Sequence, residues 1–129
     1  MSRERQVQNP EMITHTFSGL PVRRYMKAYE WYARLLGREA DMFPHETEAV
    51  WRLTASGAIY VVEDPDRAGG GLLTLALEDL DGQERHLREA GLVFSNDVSG
   101  DAPRRLVVND PDGNRLSFFQ GPDHGTREG

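Results

Sequence analysis

The chain has 129 residues, enough for one domain or for two half-size modules sharing a core. Its 15 Lys and Arg against 21 Asp and Glu leave a net charge of −6, which repels a phosphate backbone and argues against nucleic acid as a partner. It has no cysteine, which excludes disulfides, thiolate catalysis and Cys-based zinc or iron–sulfur sites.

Residues 1–11 are polar, without periodicity, and read as a flexible arm. No secretory signal is visible there and no stretch can span a bilayer, so no membrane partner and a cytoplasmic setting are expected. A strand is expected over about 12–18. Ala28, Trp31, Tyr32, Leu35 and Leu36 then recur at helical spacing, which predicts a helix over about 25–36. Gly37 suits the left-handed residue that ends it. Three short strands are expected near 39–43, 48–53 and 58–62, the last two joined by Ala55-Ser56-Gly57. His45-Glu46-Thr47-Glu48 reads as an exposed polar loop between two of them. Gly69-Gly70-Gly71 is followed by a strand and lacks the Lys-Ser/Thr of a phosphate loop, so 67–71 reads as a hinge where flexible backbone is needed.

The order then repeats. Residues 72–77 read as a strand. Asp81 is expected to cap a helix, with Glu84 completing an Asp-x-x-Glu capping box; Leu80, Leu87 and Ala90 face inward and Gly91 ends it. His86, among charged neighbours, is expected to be solvated. Strands come next near 92–97, 105–109 and 115–119, the last two joined by the turn Asp110-Pro111-Asp112-Gly113. Residues 121–129, with His124, read as a flexible tail. Val22 maps to Leu77, Gly37 to Gly91, Gly57 to Gly113 and Tyr60 to Ser117, all at offsets of about 55 residues, which points to duplication. The fold class is therefore α+β: a βαβββ module over 12–66, a linker, and a second module over 72–120.

Three segments carry a resemblance. Ala28–Gly37, with Trp31-Tyr32 and Leu35-Leu36-Gly37, resembles the helix end of the vicinal-oxygen-chelate superfamily, which holds the glyoxalases, bleomycin resistance proteins and ring-cleaving dioxygenases. Leu75–Leu80 resembles the start of its second module. The stretch 110–119, DPDGNRLSFF, is similar to its last hairpin and is the most specific piece. The resemblance implies two βαβββ modules whose sheets form a cup-shaped surface, with helices on the convex side and a ligand in the concavity.

Metal-dependent members of that superfamily carry His, Gln or Glu at one position in each of four cup strands. By motif, those positions here are Phe17, Tyr60, Leu72 and Ser117. Phe and Leu cannot ligate a metal, and neutral Tyr and Ser are poor ligands, so no metal and no cofactor are expected. His15 shares the face of Phe17 by strand alternation but lacks carboxylate partners. Alternation places Phe17, Tyr60, Leu72, Ser117 and Phe119 on the concave face, with His15 and Arg115 nearer the rim; Trp51 is a further candidate. An apolar and aromatic wall with one arginine suits a planar ligand bearing an acidic group. Arg115 could instead be answered by Asp112 or water.

Three classes of function stay open on the sequence alone. The leading one is a metal-independent binder of a small planar or aromatic molecule, in the manner of the bleomycin resistance proteins. The alternative is an atypical lyase, isomerase or dioxygenase-like enzyme with a displaced site around His15, Tyr60 and Arg115. The third is a structural or regulatory dimer with no small ligand. A homodimer is expected, as in relatives of this size, and because Tyr25, Tyr29 and Trp31 give one helix more aromatic surface than its own sheet should bury.

Overall fold

The computed structural model describes residues 12–121; the arm expected over 1–11 and the tail from 122 onward lie outside the described residues. The elements are β1 (Thr16–Val22), α1 (Tyr25–Leu36), β2 (Met42–His45), β3 (Glu48–Arg52), β4 (Gly57–Glu63), β5 (Leu72–Leu77), α2 (Leu80–Glu89), β6 (Ser95–Asp97), β7 (Arg105–Asn109) and β8 (Arg115–Gln120). The order is βαβββ twice, the expected α+β class. Each module forms its own four-stranded sheet, ordered β1-β4-β3-β2 and β5-β8-β7-β6. In each, the first strand runs parallel to the last and the other pairings are antiparallel. The sheets remain separate, so β1 and β5 are edge strands. Pro21 fits β1 because an edge strand can spare an N–H from the ladder.

Most boundaries agree with the sequence reading, and the exceptions have local causes. β1 starts at Thr16 rather than near residue 12, because the residues that bury against the core, Leu20 and Val22, lie at its far end. β2 starts at Met42 rather than 39: the Arg38 carbonyl accepts the Trp51 indole N–H, and the Asp41 N–H goes to the Val50 carbonyl. His45 and Glu48 are not loop residues but a cross-strand pair that closes the β2–β3 hairpin. β6 is short because Leu92 turns into the core after the helix, its N–H reaching the Leu87 carbonyl. Asp79, not Asp81, caps α2, accepting the Gly82 N–H at 2.9 Å. Asp81 and Glu84 instead hold Arg104 at 2.6 and 3.0 Å. Gly37 and Gly91 end the helices at φ 74 and 73°, the left-handed backbone that the repeat anticipated.

One buried cluster draws on both modules: Leu20, Val22, Ile59 and Val61 from the first sheet, Leu106, Val108, Leu116 and Phe118 from the second, with Tyr32, Leu35 and Leu87 from the helices. A polar network runs through it. The buried Tyr32 hydroxyl donates to Asp110 Oδ2 at 2.8 Å, and Asn114 Nδ2 donates to the same oxygen at 2.7 Å. Asp110 Oδ1 accepts the backbone N–H of Asp112 and of Asn114, both at 2.9 Å. Asn114 then reaches out of its module, donating to the Pro21 carbonyl and accepting the Gly71 N–H, each at 2.7 Å. Burial, and then the Asp110 charge, push the Tyr32 phenol well above its ordinary range, so it stays a donor. The DPDGN motif is thus the joint between the modules. In the linker between them, Gly69 adopts φ 91°, and a Cβ there would fall onto the Asp112 carbonyl oxygen.

The helix ends are tied as well. His86 is not simply solvated, because its Nε2 meets the Leu35 carbonyl at 2.8 Å and the Arg34 carbonyl at 3.1 Å. In return, Arg34 donates to the Ala90 carbonyl beyond α2 at 3.0 Å. Side-chain donors thereby satisfy carbonyls at the C-terminal ends of both helices.

Candidate functional site

Period-two alternation gives each sheet a face toward the shared core and a face away from it. On the first sheet the outward face carries Phe17 beside Ala58, and Tyr60 between Gly19 and Val50. Gly19 is a fitted residue, since a Cβ there would stand 2.5 Å from the Tyr60 ring. The glycine lets the phenol lie across β1. On the second sheet the outward face carries Leu72 beside Arg115, Thr74 beside Ser117, and Ala76 beside Phe119. Across β7 the same rows continue with Asn109, Val107 and Arg105.

Phe17, Tyr60, Leu72, Arg115, Ser117 and Phe119 therefore fall on outward faces, as alternation required. Phe17 is 57% exposed and Leu72 80% exposed, although both are large and apolar. Trp51 does not join them. It pairs with Ile59 on the core face, is fully buried, stacks on Tyr29 and gives its N–H to the Arg38 carbonyl. A residue one step out of phase with Tyr60's row cannot share its face. His15 precedes β1 and is exposed, its Nδ1 3.0 Å from the Thr14 hydroxyl. Asp112 pairs with Arg23 and not with Arg115. Among the described residues, no carboxylate pairs with Arg115.

The outward face of the second sheet is hollowed. One cavity of about 240 Å³ is lined by Leu72, Thr74, Val107, Ser117 and both Arg105 and Arg115. Another of about 320 Å³ lies beside the loop before β7, walled by Pro103, Arg105 and Phe119. They adjoin at Asp97 and Arg105, an ion pair of 2.9 Å that bridges neighbouring strands. Neither includes Phe17 or Tyr60. The candidate residues fall in two groups, one on the outward face of each sheet. Arg105 and Asp97 were missed in the sequence reading. Their signal was available, because the alternation that selected Ser117 also places Arg105 on the same face, opposite Phe119.

The four positions marked by the resemblance hold two carbon side chains, a phenol and a hydroxyl. Among the described residues, no three or more His, Asp or Glu side chains form a group that could hold a metal ion. No described helix is long and apolar enough to cross a membrane.

Neither a family model nor a curated protein matches the sequence. Solved structures do. The chain is similar to a glyoxalase/bleomycin resistance protein from Catenulispora acidiphila DSM 44928, at 37% identity over 84% of this chain and 98% of that one, with a TM-score of 0.79. It is also similar in fold to TnmS3, an antibiotic binding protein from Streptomyces sp. CB03234, at 22% identity over 84% and 95% of the chains and a TM-score of 0.67. A bleomycin resistance determinant encoded on the transposon Tn5 matches at 19% identity over 84% and 98%, with a TM-score of 0.69.

Proposed function

The chain belongs to the glyoxalase/bleomycin resistance protein family of the vicinal-oxygen-chelate superfamily, and we propose that it is a metal-independent binder of a small planar or aromatic molecule. The observation that carries this is the character of the two outward faces. They expose Phe17 and Leu72, where a solvated strand would present polar side chains, and they add Tyr60, Phe119, Ser117 and Arg115. Apolar walls supply affinity by burial and a few polar groups fix orientation, the usual composition of a small-molecule site. An antibiotic binding protein and a bleomycin resistance determinant of the same fold support the binding class.

Two half-sites on separate sheets make a complete cup when a second copy of the chain covers them. A homodimer is therefore part of the proposal, and it rests on Phe17 and Leu72 rather than on α1. The α1 aromatics are occupied within the chain: Tyr25 is buried, Tyr29 stacks on Trp51, and Trp31 meets Tyr32 edge-on at 4.8 Å. The test is a thermal-shift screen of the purified protein over aromatic acids, aromatic amines and antibiotics, with and without Zn²⁺, Ni²⁺ and Mn²⁺. Stabilisation by an aromatic ligand irrespective of metal is expected. Stabilisation that requires metal, or elemental analysis finding about one tightly held metal per chain, would overturn the metal-independent reading.

A further inference from the structure

We propose that the outward face of the second sheet recognises an aromatic monocarboxylate, and that Asp97 sets the limit at one negative charge. The proposal rests on the reading of this face as a ligand site and deepens it by naming the ligand's charge. Across β7 and β8 the outward rows run Arg105 with Phe119, Val107 with Ser117, and Asn109 with Arg115. The two arginines therefore stand at opposite ends of a short floor, four residues or about 13 Å apart along the strands. Both line the same hollow, whose floor between them is Val107, Ser117 and Thr74. A flat ring laid on that floor presents one edge to each arginine.

The two ends differ. Arg105 donates to Asp97 Oδ2 at 2.9 Å, so its charge is already answered. No described carboxylate answers Arg115. An anionic group at the Arg115 end meets a guanidinium that no described carboxylate answers, which can bind it through two parallel hydrogen bonds. A second anion at the other end meets a neutralised arginine and the Asp97 carboxylate, and is repelled. Arg105, Arg115 and Asp97 together carry one net positive charge, which matches one carboxylate. The Phe119 side adds apolar wall, beside Pro103, for a neutral ring edge or substituent.

The probes are 2-naphthoate, its neutral isostere 2-naphthamide, and 2,6-naphthalenedicarboxylate, which carries carboxylates at both ends. Affinities are measured by calorimetry on the intact protein. The wild-type chain is expected to bind 2-naphthoate about tenfold tighter than 2-naphthamide, the scale of one charge-assisted hydrogen bond. It should also prefer 2-naphthoate to the dicarboxylate. Asp97→Asn frees Arg105 and should reverse the second preference, while Arg115→Gln should erase the first. Arg105→Gln leaves Asp97 unanswered and should deepen the rejection of the dicarboxylate, which keeps the idea exposed if Asp97→Asn melts early. Equal binding of naphthoate and naphthamide would remove the charge assignment and leave the face standing as a ligand site. An unchanged order of preference in folded Asp97→Asn would remove Asp97 as its determinant. No binding of any of the three probes would overturn this inference, while the reading beneath it falls only if the wider thermal-shift screen also finds no ligand.

Discussion

The two modules repeat a backbone and diverge on one face. At equivalent places, Phe17 stands where Leu72 stands, Gly19 where Thr74 stands, and Tyr60 where Ser117 stands, each pair holding the same register against its neighbours. The core-facing partners stay apolar in both: Ile59 and Val61 stand where Leu116 and Phe118 stand, Leu20 and Val22 where Leu75 and Leu77 stand, and Ala49 and Trp51 where Leu106 and Val108 stand. The outward faces differ in chemistry. The first is aromatic, with Tyr60 laid over a glycine. The second is hydroxylic and cationic, with Ser117, Arg105 and Arg115 around a hollow. Burial keeps the inner face apolar, because a polar side chain there needs a buried partner, while side-chain volumes can be traded between neighbours. The outer face is free to take on recognition.

That contrast can be broken most sharply at the joint. Asp110 accepts four hydrogen bonds, from Tyr32, from the Asn114 side chain and from two backbone N–H groups. Asp110→Ala leaves all four donors without that acceptor and should cost about 3 kcal/mol or more in urea unfolding. A loss under about 1 kcal/mol would mean that the joint is ornamental. Tyr32→Phe removes one of the four and should cost about 1–2 kcal/mol. It should also change the alkaline limb. The folded phenol is held above its ordinary value by burial, so its contribution is intact below about pH 10 and declines as the unfolded chain ionises above that. The raised Tyr25 and Tyr29 phenols push the same way. Stability should fall above about pH 10, and less steeply in Tyr32→Phe; parallel slopes would refute this assignment.

On the outer faces the expected stability effects are small and the binding effects are not. Tyr60→Ala should change unfolding by less than about 1 kcal/mol and weaken whichever aromatic ligand the screen finds. Gly19→Ala should displace the Tyr60 ring and alter that affinity, with the melting temperature little changed. A large loss of stability in either variant would make Tyr60 a core residue. The smallest effect on the single chain belongs to Leu72→Ser, within about 0.5 kcal/mol, because 80% of Leu72 is exposed. In sedimentation the same variant should weaken self-association, and an unchanged association constant would remove Leu72 from the dimer face.

The sequence by itself determined the features that local periodicity and backbone preference dictate. The βαβββ repeat, α1 and strand β5 rest on spacing of two or 3.6 residues, the Gly37 end and the β7–β8 turn on backbone preference, and the outward rank of Phe17, Tyr60, Leu72, Arg115, Ser117 and Phe119 on alternation joined to the family resemblance. These need no knowledge of neighbours. Tertiary structure decided whatever depends on a partner distant in the chain. Trp51 turned inward because its row faces Ile59. His86 found the carbonyls of a helix about 50 residues away. Asp81 and Glu84 turned from capping to Arg104, and the DPDGN turn proved to be a joint because Tyr32 and Pro21 lie against it. Alternation can say which face a side chain takes; only packing can say what stands opposite it, and for a buried polar group the opposite atom decides its role.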